Sequence, residues 1–195
     1  YHSIANYFLI LGGVEKFFHA VLVFTAICFG YIFMNNFNTQ VLLTGSAGFI
    51  GSHLARLLVE NGFKVRAMVR YSSRPQLGNL EFLPPNVLKE IEIIKGDLKD
   101  PDFCYRAVQS CTYVFHLGAL IAIPYSYQNP TDFVQTNING TTYLLNAARK
   151  SDTLQRFIHT STSEVYGTAL YTPIDEQHPL QPQSPYSASK MGADL

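Results

Sequence analysis

The sequence predicts an α/β fold in which a doubly wound parallel sheet carries helices on both faces. Short apolar runs alternate with amphipathic segments through residues 41–195 of the 195-residue chain, and this alternation is typical of parallel sheets. A glycine-rich turn also joins the first apolar run, residues 41–44, directly to an amphipathic segment. Apolar residues make up 47% of the chain, which is ample for a core. The net charge of zero, without a basic run, gives no indication of a nucleic-acid partner.

The glycine-rich turn has the spacing Gly45-x-x-Gly48-x-x-Gly51 between the first strand and the first helix. In a dinucleotide-binding turn, glycines allow a sharp bend, close approach of the backbone to the pyrophosphate, and close packing of helix on strand. The N–H groups at the start of the helix, where Phe49 and Ile50 lie, then face the phosphates. The spacing differs from the standard G-x-G-x-x-G, but the strand–turn–helix order is the required one. The turn therefore predicts a dinucleotide site on a Rossmann-like domain; the alternative is a purely structural turn.

The other elements follow from the periodicity of apolar residues and from glycine, proline and capping signals. Strands are predicted at residues 64–70, 91–94, 113–117 and 155–161. Helices are predicted at residues 102–110 and 130–150 and in a final segment capped by Ser184 and Pro185. Residues 71–90 are expected to form an irregular crossover with one helical turn. His116, within a strand, is interpreted as a core or strand-end residue and not as a catalyst.

The end of the second strand predicts which dinucleotide is bound. An acidic residue there would bind the ribose 2′-hydroxyl, whereas arginine suits a 2′-phosphate. This chain has Arg70, with Arg74 nearby and no carboxylate before Glu81. Because a guanidinium group recognises phosphate in a bidentate manner, the sequence favours NADP within an NAD(P) site. The alternative is that both arginines are solvated loop residues.

The first 34 residues differ in composition from the rest. Residues 17–34 are almost wholly apolar, at the lower limit of length for a membrane-spanning helix, and little basic bias exists to orient one. Because Met34 shortly precedes the first strand, we expect residues 1–33 to be upstream read-through or a foreign extension. The alternative is a genuine membrane anchor, and a membrane partner is expected only in that case. The predicted organisation is an apolar leader, 1–34, and an NAD(P)-binding domain, 35–195. Three cysteines without paired spacing fit a reducing compartment, and we expect a cytoplasmic protein.

Two clusters of reactive side chains follow successive elements late in the chain. Residues 160–167 are rich in serine and threonine and follow a strand. Tyr186 and Lys190 are four residues apart on the final helix, so that both lie on one face. A lysine cation beside a phenol favours the phenolate, which is useful as a general base.

These motifs together resemble the N-terminal half of an extended short-chain dehydrogenase/reductase. The matching segments are the glycine turn, residues 96–98, residues 116–119, Asn137-x-x-Gly140-Thr141, Ser161-Thr162 and Tyr186-x-x-x-Lys190. The further cofactor residues that the resemblance implies are Asp97 and Leu98 near the adenine, and Leu117, Gly118, Ala119 and Asn137. It also implies that Lys190 grips the nicotinamide ribose and assists Tyr186. Gly118 departs from the alanine that is more usual there.

Within this superfamily, Thr162-Ser163-Glu164 resembles the triplet of sugar-nucleotide 4,6-dehydratases. The resemblance implies that Tyr186, aided by Thr162, takes the C4 hydroxyl proton while hydride leaves C4 for the nicotinamide. The resulting ketone acidifies the C5 hydrogen, which Glu164 removes as water leaves C6, and the hydride then returns to C6. Ser163 in place of aspartate leaves open which group acts as the acid. The implied catalytic residues are Thr162, Ser163, Glu164, Tyr186 and Lys190.

Other functions stay open at this point. UDP-galactose-type 4-epimerases usually lack the glutamate, and UDP-glucuronate decarboxylases carry Thr-Ser-Glu but differ around the tyrosine and lysine. A non-catalytic dinucleotide-binding module is the alternative from another class. The resemblance further implies a nucleotide-sugar substrate, no metal, and a homodimer for the full-length enzyme. Because family members carry a further C-terminal half, we expect the fold to be truncated before the substrate-binding part and this chain alone to be inactive.

Overall fold

A computed structural model describes residues 39–73 and 76–195, which form one parallel sheet flanked by helices. The strands are β1 (Gln40–Thr44), β2 (Lys64–Arg70), β3 (Ile91–Gly96), β4 (Tyr113–His116) and β5 (Arg156–His159). Their order in the sheet is β3-β2-β1-β4-β5, and every neighbouring pair is parallel. The predicted parallel sheet is confirmed.

The helices lie between these strands and after the last one. The α-helices are α1 (Phe49–Glu60), α2 (Pro85–Leu88), α3 (Pro101–Val108), α4 (Ile123–Gln128), α5 (Pro130–Phe133), α6 (Gly140–Arg149) and α7 (Pro185–Asp194). A π-helical segment, Val134–Asn139, joins α5 to α6 without a break. Short 3-10 helices occur at Gly78–Phe82 and Ser163–Val165.

Residues 41–44 of the central strand β1 are fully buried because helices cover both faces of the sheet. Successive side chains of a strand point to opposite faces. Val41 and Leu43 accordingly pack in one core cluster with residues of α1, whereas Leu42 packs in a second cluster with residues of α3 and α6. Each such side chain contributes about 1.5–3 kcal/mol through burial. The helices on both faces confirm the doubly wound arrangement and explain the continuous apolar run.

The order of the sheet reverses at β1, and this reversal locates the site. From β1 the chain builds outward through β2 to β3, and it then returns to place β4 on the other side of β1. The connections after β1 and β4 therefore diverge and leave a crevice at the carboxyl ends of these strands, where ligands of such sheets bind. Thr44 at the end of β1 lies in register with Met68 of β2 and His116 of β4. The glycine turn starts at the next residue and so lies at this crevice.

The structure differs from the predicted elements in two places. The long helix over residues 130–150 is present, but its middle is π-helical, a widened form that often marks functional sites. The helix α4 was not predicted, because six residues with Pro124 in the first turn provide too little apolar periodicity.

Residues 1–38, 74 and 75 lie outside the described residues, and so do the predicted leader and Arg74. Within residues 39–73 and 76–195, no helix has the length and hydropathy needed to cross a membrane. The domain boundary near residue 35 therefore stays a prediction.

Candidate active site

The glycine turn is shaped so tightly that side chains are excluded from it. Gly45 has φ +71°, and a Cβ atom there would lie 2.8 Å from the backbone nitrogen of Gly118. A Cβ atom at Gly51 would overlap the carbonyl oxygen of Gly45. The turn is closed by the Gly48 N–H, which donates to the same Gly45 oxygen at 3.0 Å. The requirement for glycine at Gly45 and Gly51 thus has a steric reason that lies within the fold.

Helix α1 begins directly after this turn. Its N-cap residue is Gly48, which provides no capping side chain, so the positive end of the helix dipole is not offset by a side-chain cap. Phe49 and Ile50 occupy the first turn and are 49% and 38% exposed. The Ser46 hydroxyl donates to the carbonyl of Met68 at 2.8 Å and ties the turn to the end of β2.

A cleft of about 180 Å³ opens at the carboxyl edge of the sheet, at the crevice between β1 and β4. It is lined by residues at or just beyond the ends of four strands and by one residue of the π-helical segment: Gly45, Ala47, Met68, Arg70, Gly96, Asp97, Leu98, Lys99, Gly118, Ala119, Leu120 and Thr136. The predicted cofactor residues in this lining are Gly45, Arg70, Asp97, Leu98, Gly118 and Ala119. Leu117 instead packs against the core cluster that contains β1 and α1. Lys99 and Thr136 were not predicted, because no local motif marks either residue.

The charged groups of the cleft differ in how they are compensated. The Lys99 ammonium group donates to Asp132 Oδ1 at 2.8 Å, and this hydrogen bond raises the pKa of Lys99. The Lys99 backbone N–H donates to Asp97 Oδ1 at 3.0 Å. Within the described residues, Arg70 makes no ion pair, and it is exposed at the cleft. Arg70 is therefore the cleft cation whose charge is available to a ligand.

Tyr186 and Lys190 are presented by a helix with a well-formed start. The Ser184 hydroxyl accepts from the Ser187 N–H at 3.0 Å, and the Ser187 hydroxyl accepts from the Ser184 N–H at 2.9 Å, which forms a capping box. Pro185 follows the cap, where its missing N–H costs nothing. The predicted helix start is confirmed.

Both members of the pair are buried, at 8% and 5% exposure. The Tyr186 ring packs edge to face against Phe133, with 6.3 Å between the ring centroids. The Lys190 ammonium group donates to the carbonyl oxygen of Thr160 at 2.7 Å. Burial lowers the pKa of Lys190, and the carboxylate of Asp194 opposes this effect. Helix α7 thereby places a lysine with a lowered pKa against the end of β5.

The predicted triplet lies two residues beyond this contact. Thr162 is the N-cap of the 3-10 helix Ser163–Val165, and its Oγ1 accepts from the Glu164 N–H at 3.3 Å. Val165 is buried and anchors the segment, whereas Ser163 and Glu164 are exposed. Helix α7 packs against this 3-10 helix. The structure therefore places the two segments that carry the five residues predicted as catalytic against each other, and the roles of these residues stay predictions.

The end of β5 contains a further polar cluster. The Asp194 carboxylate accepts hydrogen bonds from the Ser161 hydroxyl and from His159 Nε2, the latter at 3.0 Å. Burial raises the pKa of Asp194, but the two hydrogen bonds together with the nearby charges of His159 and Lys190 outweigh that effect, and the net pKa is lowered. Within the described residues, His159 Nδ1 and Thr160 Oγ1 are buried without a hydrogen-bond partner. Thr160 thus presents an unsatisfied hydroxyl beside the lysine contact.

Asn137, predicted to contact the cofactor, is 1% exposed and its amide is engaged by protein. Its oxygen accepts from the Leu120 N–H at 2.8 Å, and its nitrogen donates to the Leu120 carbonyl and to Ser189 Oγ, both at 2.9 Å. These bonds connect the loop that lines the cleft to helix α7. The structure therefore shows Asn137 holding two parts of the site together, whereas contact with a cofactor stays a prediction.

His116 is also buried, as expected for a strand-end residue. Its Nδ1 lies 2.7 Å from Thr44 Oγ1, and its Nε2 lies 2.9 Å from Thr141 Oγ1. Burial lowers the pKa of His116 to about 3, and the positive fields of His159 and Lys190 act in the same direction. Neither partner threonine was predicted as a site residue, because the contacts of Thr44 and Thr141 with His116 span 72 and 25 positions.

The segment that carries all of these residues matches a known protein family. Residues 42–195 match the family model described as GDP-mannose 4,6 dehydratase. The chain belongs to this family. Its membership agrees with the resemblance to extended short-chain dehydrogenase/reductases and with the parallel sheet described above.

The curated relatives of this chain include proteins from archaea and mammals. The chain is 35% identical to the low-salt glycan biosynthesis protein Agl12 of Haloferax volcanii, over 80% of this chain and 50% of that protein. It is 34% identical to the dTDP-D-glucose 4,6-dehydratase of Mus musculus, over 82% of this chain and 45% of that protein. The chain thus spans about half the length of the curated relatives it matches.

Solved structures similar to this family member include both epimerases and dehydratases. A UDP-N-acetylglucosamine 4-epimerase from Methanobrevibacter ruminantium M1 has a TM-score of 0.72 at 34% identity, covering 82% of this chain and 49% of that chain. DesIV, a dTDP-glucose 4,6-dehydratase from Streptomyces venezuelae with NAD and TYD bound, has a TM-score of 0.70 at 32% identity. The latter match covers 80% of this chain and 50% of that chain. The similarity therefore extends to structures of 4-epimerases and of 4,6-dehydratases.

Proposed function

We propose that the protein is an NAD(P)-dependent sugar-nucleotide 4,6-dehydratase. The observation that carries the proposal is the 2.7 Å hydrogen bond from the Lys190 ammonium group to the Thr160 carbonyl. This bond holds the helix with Tyr186 against the strand end that continues into Thr162 and Glu164. A phenol, a hydroxyl and a carboxylate therefore lie on neighbouring elements at the ligand-binding edge of the sheet.

The residues present fit a dinucleotide. The absence of side chains at Gly45 and Gly51 lets the turn pack tightly between β1 and α1, and the start of α1, which has no side-chain cap, is suited to a pyrophosphate. An ammonium group has three N–H donors, so Lys190 retains two beyond its bond to Thr160 for ribose hydroxyls. Thr160 Oγ1, buried and without a partner in the described part of the chain, is a further group that a ligand would satisfy. NAD or NADP, when bound, supplies the hydride acceptor at C4 and the hydride donor at C6.

Tyr186 is the proposed base for the C4 hydroxyl. Its ring is held by Phe133, and Lys190 lies one turn further along α7. Thr162 is suited to assist, because its oxygen accepts from the Glu164 N–H and its own proton stays available for donation. These contacts favour proton removal from a hydroxyl group positioned between the two side chains.

Glu164 is the proposed base for the C5 hydrogen. Val165 anchors its segment in the core, so the carboxylate is exposed on a backbone that is held in place. Within the described residues Glu164 makes no salt bridge. A carboxylate that is not neutralised by a cation can accept the proton of a C–H bond once a neighbouring ketone has made that bond acidic.

The proposal is tested by incubating the full-length protein with UDP-, GDP- and dTDP-hexoses and identifying the products by NMR. A 4-keto-6-deoxy product supports the dehydratase. Inversion at C4 without loss of water would instead identify a 4-epimerase, the second candidate, which the similarity to epimerase structures favours. Absence of both products with every substrate would leave a binding module and contradict the proposal.

Replacing Glu164 with glutamine is expected to abolish entry of solvent deuterium at C5. The amide is isosteric but cannot accept the proton, and loss of a positioned base lowers turnover by about 10²–10⁴-fold. Dinucleotide binding should be retained, since Glu164 is exposed and its backbone contact to Thr162 does not involve the carboxylate. Deuterium incorporation is measured by mass spectrometry of the product formed in D₂O.

The matched control is Glu176→Gln, which changes an exposed glutamate in the loop between the same 3-10 helix and α7. It should leave turnover and deuterium entry unchanged. Unchanged turnover in Glu164→Gln would remove this residue from the mechanism.

Within the NAD(P) site, we propose that NADP is preferred. The support is Arg70, which lines the cleft at the end of β2 without an ion pair in the described residues, whereas Lys99 is neutralised by Asp132. Several similar structures contain bound NAD, which is a reason to test both dinucleotides. We further propose that the substrate is a nucleotide sugar, that the full-length enzyme is a homodimer and that it is located in the cytoplasm. Burial raises the pKa of Cys104 to about 12 and of Cys111 to about 11, which suits thiols that stay reduced.

Replacing Arg70 with aspartate is expected to reverse the dinucleotide preference. A hydrogen bond to a charged group contributes about 1.5–3 kcal/mol, so NADP should bind at least ~10-fold more weakly. NAD should bind more tightly, because a carboxylate accepts from the ribose 2′-hydroxyl. Dissociation constants are measured by calorimetry, with Arg106→Asp on the exposed side of α3 as the control. Equal affinities of the variant and the wild type for both dinucleotides would contradict the assignment.

A further inference from the structure

A directed chain of hydrogen bonds runs through His116, which the proposed reaction does not use. The direction follows from the number of protons that each hydroxyl carries, which is one. Thr141 donates its proton to the carbonyl oxygen of Asn137, at 2.6 Å. Its oxygen can therefore only accept from His116 Nε2, 2.9 Å away. His116 must carry a proton on Nε2.

The other side of the ring follows from its burial, which lowers the pKa of His116 to about 3 and keeps the imidazole neutral. A neutral imidazole carries one proton, and that proton lies on Nε2, so Nδ1 accepts. Its donor is the Thr44 hydroxyl, 2.7 Å away, whose oxygen also accepts from the Gly118 N–H at 3.0 Å.

The chain of bonds has the glycine turn at one end and the catalytic helix at the other. Thr44 precedes Gly45, and Gly118 lines the cleft. At the far end, Asn137 grips both backbone groups of Leu120 and donates to Ser189 on α7. Ser189 in turn donates to the carbonyl of Tyr186 at 2.7 Å. The chain of bonds thus connects the two ends of the cofactor site. His116 itself does not line the cleft.

We propose that His116, with Thr141 and Asn137, is a positioning residue that sets the catalytic pair on α7 relative to the glycine turn. The inference rests on the proposed function, since it assigns the pair Tyr186 and Lys190 a reaction to perform. The imidazole suits this task because it is rigid, buried, and able to accept on one nitrogen and donate on the other. Buried ring nitrogens need partners in any role, but here the partner Thr141 is bonded to Asn137, and Asn137 continues the chain of bonds to Ser189 on α7.

The test compares three substitutions on helix α6 in the full-length protein. Thr141→Val keeps the shape but removes the acceptor for His116 Nε2 and the donor for Asn137. Thr141→Ser restores the hydroxyl. Thr142→Val is the matched control, because the Thr142 hydroxyl makes the same type of bond, to the Ile138 carbonyl at 2.9 Å, but is exposed and outside the chain of bonds.

Thr141→Val is expected to lower kcat by about 10- to 100-fold, since a misplacement of about 1 Å can cost 10²-fold in rate. The dissociation constant of the dinucleotide and KM should change by less than about threefold. Thr141→Ser should recover most of kcat, and Thr142→Val should retain it. A structural role alone would lower stability in both valine variants without separating kcat from KM.

Two measurements keep the test decisive if Thr141→Val folds poorly or if the substrate is not identified. Ser189→Ala removes the last link without touching His116, and it should show the same loss of kcat. In protein without substrate, ¹H–¹⁵N spectra should show His116 protonated on Nε2. In the same spectra, Thr141→Val and Ser189→Ala should change the amide chemical shifts of residues 186–190, whereas Thr142→Val should not. An unchanged kcat with unchanged amide shifts, or equal effects in the control, would overturn the inference. A wild-type protein that makes no 4-keto product but shows these shifts would contradict the proposed function alone.

Discussion

Replacing Tyr186 with phenylalanine is expected to lower the rate of C4 oxidation by about 10²–10⁴-fold, the usual effect of removing a general base. The ring is 8% exposed and held edge to face by Phe133, so phenylalanine should occupy the same position. Within the described residues, the Tyr186 hydroxyl makes no hydrogen bond, and its loss should cost little stability. The rate is measured by single-turnover absorbance of the reduced dinucleotide.

The control for this substitution is Tyr105→Phe on the exposed side of α3, which should leave the rate unchanged. Dinucleotide affinity should stay within about threefold of wild type in both variants, because Lys190 keeps its bond to Thr160. A Tyr186→Phe protein with wild-type oxidation would show that another group removes the C4 proton.

Replacing Gly51 with alanine is expected to damage both stability and dinucleotide binding. The new Cβ atom would overlap the Gly45 carbonyl oxygen and lie 2.8 Å from Ser46 Cα, and these are backbone atoms that cannot rotate away. Overpacking of this kind costs about 1–3 kcal/mol. The turn must also shift, so we expect dinucleotide affinity to fall at least ~10-fold. Thermal unfolding and calorimetric titration measure the two effects.

Gly48→Ala provides a graded comparison within the same turn. A Cβ atom there would lie 3.2 Å from the Gly45 oxygen, a tight contact that a small adjustment relieves. Its loss of stability should be clearly smaller than that of Gly51→Ala. Equal losses, or no loss at Gly51, would mean that the turn is more adaptable than its geometry indicates.

Much of the fold could be predicted because its signals are local. The apolar run of β1 indicated a strand buried on both faces, and Ser184 and Pro185 indicated the start of α7, where the Ser184 hydroxyl indeed caps the Ser187 N–H. The spacing of four between Tyr186 and Lys190 was enough to place both on one helical face. Such signals survive in sequence because backbone geometry and capping depend on neighbouring residues.

The parts that were missed depend on contacts between distant residues. The Lys99–Asp132 ion pair joins residues that are 33 positions apart, and no charge pattern along the chain predicted it. Asn137 shows the same limit, since its partner Ser189 lies 52 positions away. The family motif suggested a cofactor contact for this asparagine, whereas its amide is engaged by backbone and by α7.

The sequence by itself determined the glycine turn, the alternation of strands and helices, and the identity of the groups able to move protons. Local sterics and periodicity require particular residue types at these positions, so their presence is informative. Only the tertiary structure decided which of those groups meet, which cleft cation stays uncompensated, and which proton His116 carries. Hydrogen-bond direction and charge compensation depend on partners that the fold brings together at the reversal of the sheet.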